Sequence, residues 1–226
     1  MIKLNYLVTG TGRCGTLYMA KLLSSIGIPC GHESVFTFNG YEHAKQVLNN
    51  DLPIKNSFIS LLNGTEWFDP EDMQAESSYM AAPFLKTDLL KNTKIIHLVR
   101  HPFLVINSFV NAINYFKSEV PSNVWETFIY SQCPELKEPM AQYDRAALYY
   151  VLWNKKINYC DLFYRIEDLP YELFSFLGEN PVEYYKDVNC NKFTQQINYK
   201  CLISNVAIKK DLINLCKKYQ YNIISI

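Results

Sequence analysis

The chain has 226 residues, 49% of them hydrophobic and 19% charged, an ordinary globular composition and enough length for one well-buried domain spanning 1–226. Lys plus Arg and Asp plus Glu both number 22, which excludes a global basic field of the kind that gathers nucleic acid or a heavily sulfated polysaccharide. Any anion site must therefore be local. The N-terminus lacks a basic leader with an apolar core, and no stretch approaches the roughly 20 apolar residues of a membrane helix. A soluble, cytoplasmic protein without membrane or nucleic-acid partners is expected. Seven cysteines, an odd number scattered without a CxxC pair, read as reduced thiols, and four widely spaced histidines give no metal-ligand spacing. No metal is expected.

In chain order, KLNYLVT (3–9) has the length and composition of a strand, GTGRCG (10–15) is a loop, and 16–26 carries apolar residues at helical spacing. Gly27 and Pro29 stop that helix. A short strand-like IPC (28–30) precedes CGHES (30–34). A second core strand, KIIHLV (94–99), ends at Arg100, and Pro102 opens a helix expected to run through about Phe116. An amphipathic helix over 140–158, a third strand DLFYR (161–165) and a helix over 167–177 follow. Strands alternating with helices predict an α/β fold, a three-layer sandwich with a central, mainly parallel sheet covered on both faces. The less regular stretches 34–72 and 111–139 are expected to form the substrate-side wall.

The glycine loop admits three readings. Gly10, Gly12 and Gly15 match GxGxxG, and Glu33 lies near the place of a ribose-binding acid, which gives a Rossmann NAD(P)-dependent oxidoreductase. Gly10 and Gly15 also fit a Walker A loop, but Thr16 stands where its lysine belongs. The third reading starts from Arg13, a cation inside a loop that leads into a helix N-terminus, where the dipole and uncommitted amides favour an anion. Arg100 at a strand end and Ser108 in the following helix add a fork and a hydroxyl suited to a second phosphate.

GTGRCGT resembles the phosphosulfate-binding loop of sulfotransferases, and LVRHPFLVINSF (98–109) is similar to the motif with which they grip the 3'-phosphate of 3'-phosphoadenosine 5'-phosphosulfate, PAPS. His101 departs from the Asp or Asn often found beside that arginine. ESSYMAAPFL (76–85), RAALYYVLWNKKI (145–157) and YRIEDL (164–169) extend the resemblance over most of 4–178, beyond which it fades. Lys192 and Lys200, in the fading region, read as solvent-exposed.

The resemblance implies a P-loop-like fold and a PAPS-dependent sulfotransferase that needs no metal. The donor would be held by Gly10, Thr11, Gly12, Arg13, Cys14, Gly15, Thr16 and Leu17 around the phosphosulfate and by Arg100 and Ser108 at the 3'-phosphate. Its product would be adenosine 3',5'-bisphosphate, and its acceptor a hydroxyl or amine on a small molecule or glycan. Arg13 is expected to stabilise the leaving phosphate, with Glu33 as preferred base and His32 as second choice. Glu167 and Asp168 read as first-turn acids that complement a helix dipole. A non-catalytic nucleotide-binding module is the third function kept beside the transferase and the oxidoreductase.

Overall fold

The structure is a computed structural model and describes residues 2–54, 72–179 and 202–221. Five strands form one sheet: β1 (Tyr6–Gly10), β2 (Cys30–His32), β3 (Ala75–Ser77), β4 (Lys94–Val99) and β5 (Leu162–Arg165). Every adjacent pair is parallel, in the order β2-β3-β1-β4-β5. The glycine-loop strand β1 is therefore central, with Val8 in register with Ser77 on one side and Ile96 on the other. β4 coincides with the strand expected from KIIHLV, whose residues are buried from Ile95 to Val99. Such an unbroken apolar run is what a strand needs when helices cover both faces.

The two faces separate by residue parity. Val8 and Ile96 pack with Met19, Leu22 and Leu23 of helix α1 (Thr16–Ser25). Leu7 and Ile95 point the other way, into a cluster with Ala44, Val47 and Leu48 of α2 (Gly40–Leu48). Each such aliphatic side chain contributes about 1.5–3 kcal/mol by leaving water. After β4, helix α3 (Pro102–Asn107) passes into a π-helical stretch at Ser108–Ala112, so the helix ends earlier than the expected Phe116. Within the insertion 111–139 lie α4 (Val124–Gln132) and a 3-10 turn, Pro134–Lys137. The expected amphipathic helix is α5 (Gln142–Lys156). Its Asn154 pairs with the buried His97 ring of β4 at 3.0 Å. Burial lowers that histidine to about 4, which keeps it neutral. Two further helices complete the layers: α6 (Tyr171–Leu177), whose Phe176 meets Tyr6 edge-on, and α7 (Val206–Lys218) against α5.

One expectation is corrected here. Helix α6 begins at Tyr171, after Pro170, so Glu167 and Asp168 precede it and cap nothing. Proline disfavours helical backbone at the residue before it, which moves the start beyond the two acids. Instead, Glu167 accepts from the His101 amide and the Tyr221 hydroxyl, each at 2.8 Å, and Asp168 takes a bidentate fork from Arg165. Lys192, Lys200, Cys190 and Cys201 lie outside the described residues. Among the described residues no three metal-ligating side chains cluster, and no helix is long and apolar enough to cross a membrane.

Candidate anion-binding and transfer site

At the carboxyl edge of the sheet β1 runs into the glycine loop, which turns twice through left-handed backbone. Gly15 has φ 109, open to a residue without a Cβ, and Arg13 has φ 66. The Cys14 amide donates to the Thr11 carbonyl at 3.3 Å and tightens the turn. The Cys14 thiol is buried and pushed up to about 12 by that burial, so it is inert as a nucleophile. α1 starts directly after Gly15, with no side chain capping it and no acid in its first turn, which contains Thr16 and the half-buried Leu17. An anion at this terminus meets a favourable dipole and no competing carboxylate there.

Arg13 is the centre of the site. Its Nε donates to Ser108 Oγ at 2.9 Å, and its carbonyl accepts from Arg100 Nη1 at 3.1 Å. Arg100 follows the last residue of β4, and Ser108 opens the π-helical stretch, whose wider turn often occurs at functional sites. Thus the three polar residues singled out from two distant motifs converge. Burial lowers the pKa of Arg13, and the nearby Arg100 charge lowers it further. Two partly buried guanidinium groups repel one another, and an anion between them would relieve that repulsion.

Thr16 lies where a Walker lysine would stand, and its hydroxyl is 3.2 Å from His32 Nε2 at the end of β2. The Rossmann argument from Glu33 also loses its basis. In that fold the second strand neighbours the first, whereas here β3 separates β2 from β1.

His32 and Glu33 divide in character. Burial depresses His32 to about 3, with Lys21 adding to the shift, so the ring is neutral and a weak base. Glu33 is only 8% exposed and has φ 55. Burial raises its carboxyl to about 8, the neighbouring Glu76 raises it too, and Arg13 draws it back. A buried carboxyl tuned near neutrality beside a cation has the character a general base requires.

Tyr149 of α5 was not anticipated as part of the site. Its hydroxyl oxygen accepts the Gly12 amide at 2.8 Å, so the helix read from sequence as packing also braces the loop. Tyr79 and Tyr115 are the other additions; both hydroxyls feel the charges of Arg13 and Glu33, and burial pushes both upward. Tyr115 and Trp125 belong to the insertion 111–139, and Trp125 meets Phe38 of the 34–72 segment edge-on at 5.9 Å. The two less regular segments therefore touch. An alternation pattern cannot reveal Tyr149 or Tyr79, because both sit in apolar runs where an aromatic reads as core.

The fold and loop together define a class, a parallel α/β domain with an arginine-bearing glycine loop at its central strand. No family model matches the chain, and no curated protein does. Among solved structures, the crystal structure of a sulfotransferase from Alicyclobacillus acidocaldarius is similar over 98% of this chain and 98% of that one, with 13% identity and a TM-score of 0.43.

Proposed function

We propose that the protein is a PAPS-dependent sulfotransferase acting on a hydroxyl or amine of a small-molecule or glycan acceptor. The observation that carries this reading is Arg13 held between Ser108 and Arg100, which joins the loop anion site to a second cationic site in one cluster. A donor with phosphate at both the 5' and 3' positions matches two adjoining anion sites, and the resemblance of both motifs to sulfotransferases points the same way. The loop amides and the start of α1 would hold the phosphosulfate, with Arg100 and Ser108 on the 3'-phosphate. Arg13 would face the bridging oxygen, where negative charge develops as the donor's sulfur–oxygen bond breaks. Glu33 would take the acceptor proton as the acceptor's oxygen or nitrogen bonds to sulfur. The bond-breaking electron pair leaves on the 5'-phosphate of adenosine 3',5'-bisphosphate, so charge and atoms balance. Tyr79, Tyr115 and the Phe38–Trp125 pair are the candidate acceptor wall.

Calorimetry tests the donor half. Adenosine 3',5'-bisphosphate is expected to bind more tightly than adenosine 5'-phosphate, and NADPH to show no preference over either. Equal affinity for the bisphosphate and the monophosphate overturns the two-site reading. Transfer of labelled sulfate from PAPS to a panel of alcohols, phenols, sugars and amines tests the chemistry. Tight bisphosphate binding with no transfer to any acceptor would instead favour a nucleotide-binding module.

A further inference from the structure

The turn that carries Glu33 closes around a second acid. Glu76 is the central residue of β3, fully buried and in register with Gly31 of β2. Its side chain runs past Gly31, where Oε2 lies 2.6 Å from the position a Cβ would occupy, so a larger residue there would collide with it. Its Oε1 accepts three consecutive amides, from Ser34 at 2.8 Å, Val35 at 3.0 Å and Phe36 at 3.4 Å. Successive amides in a turn that converge on one acceptor in this way form an anion nest. Glu33, left-handed with φ 55, stands immediately before the nest and turns the chain into it. A residue with a Cβ adopts this conformation at a cost, so its surroundings must hold it there. Ser78 ties the far end of the turn, its hydroxyl donating to the Phe36 carbonyl at 2.7 Å.

We infer that Glu76 is the positioning residue for Glu33: its carboxylate fills the amide nest at 34–36, fixes the left-handed turn, and so sets where Glu33 stands relative to Arg13. Only the role of Glu33 as base rests on the proposed sulfuryl transfer; the nest does not. The groups facing Glu33 are Glu76 from β3, Arg13 from the glycine loop, His32 from β2 with Nε2 at 3.8 Å, and the hydroxyls of Tyr79, Tyr115 and Tyr149. Glu76 favours the protonated form of Glu33 and Arg13 the ionised form. Removing the Glu76 charge must therefore move the Glu33 titration to lower pH.

The test compares Glu76→Gln, which keeps an oxygen in the nest without its charge, with Glu76→Ala, which empties the nest. Protein labelled at the glutamate carboxyl carbons is titrated by NMR, with Glu33→Gln identifying the Glu33 signal. In Glu76→Gln the midpoint is expected to fall by about one pH unit or more. Hydrogen exchange at the 34–36 amides is expected to stay near wild type in Glu76→Gln and to accelerate about ten-fold or more in Glu76→Ala. Affinity for adenosine 3',5'-bisphosphate should remain within about three-fold of wild type in both, since the amides that Glu76 Oε1 accepts belong to 34–36 and not to the donor loop. An unmoved Glu33 midpoint in Glu76→Gln overturns the inference, even if Glu76→Ala fails to fold. Equal loss of amide protection in the two variants overturns it as well. None of these readouts needs turnover, so a wild-type protein that transfers no sulfate counts against the proposed function and leaves this test intact.

Discussion

Arg13 and Ser108, separated by 95 residues in sequence, share a hydrogen bond of 2.9 Å from guanidinium Nε to hydroxyl. The residue proposed to act at the bridging oxygen is thus already fastened to the residue proposed to hold the 3'-phosphate. In the proposed reading, donor recognition and leaving-group stabilisation would form one mechanical unit.

Replacing Arg13 with alanine is expected to lower kcat for sulfate transfer by about 10²–10³-fold, the usual consequence of removing a preorganised donor from developing charge. Lysine keeps the charge but lacks the planar fork, so Arg13→Lys should fall between wild type and alanine. Labelled PAPS turnover measures both, and an alanine variant within a few-fold of wild type rules out the role.

Ser108 and Arg100 should differ in a diagnostic way. Ser108→Ala is expected to weaken adenosine 3',5'-bisphosphate binding by about ten-fold, the scale of one hydrogen bond to a charged group, while adenosine 5'-phosphate binds as before. Arg100→Ala should weaken both ligands, because Arg100 also holds the Arg13 carbonyl. Calorimetry on the four combinations distinguishes the patterns.

The pH dependence follows from Glu33, raised from 4.5 to about 8 by burial. A base must be ionised, so kcat/KM should climb with pH and level off above about 8, and Glu33→Gln should lose both the rise and about 10²–10⁴-fold in rate. Stability runs the opposite way. Between pH 4.5 and about 8 the folded chain keeps a proton that the unfolded chain has released, so this contribution declines as pH rises and is gone above about 8. Melting curves from pH 5 to 9 should show Glu33→Gln gaining on wild type as pH increases; a constant gap would contradict the raised value.

Tyr149→Phe removes the acceptor for the buried Gly12 amide. Leaving that amide unpaired should cost about 1–3 kcal/mol, which for a chain of this size lowers Tm by roughly 2–4 °C per kcal/mol. Bisphosphate affinity should fall as the loop loosens. A variant with unchanged Tm and affinity would show that the amide finds another partner.

What could be read from the sequence was what local pattern encodes. The boundaries of β4 and the start of α1 follow from an apolar run and a glycine loop, and Arg13, Arg100 and Ser108, which hydrogen bonds bring together, each sit at a fixed offset from such a landmark. β3 escaped because it has only three residues, one of them a buried glutamate. Glu76 satisfies amides about 40 residues away, and no periodicity signals a pairing of that kind. Arg145 is a parallel case: read as part of an amphipathic helix, it is fully buried and donates to the carbonyls of Phe116, Leu136 and Glu138, gathering the insertion 111–139. The Glu167 and Asp168 expectation failed because their partners, His101 with Tyr221 and Arg165, are set by tertiary contacts and by Pro170.

The Gly12 amide finds its acceptor 137 residues further along the chain. During synthesis the glycine loop leaves the ribosome well before α5 has been made, and at about 5–20 residues per second that interval lasts several seconds or more. Throughout it the nascent loop has its glycines and its arginine but neither its brace at Tyr149 nor the Trp153 indole that donates to the Tyr79 carbonyl behind the acceptor wall. In the proposed reading, competence to hold a donor would be acquired late, once α5 has emerged and docked.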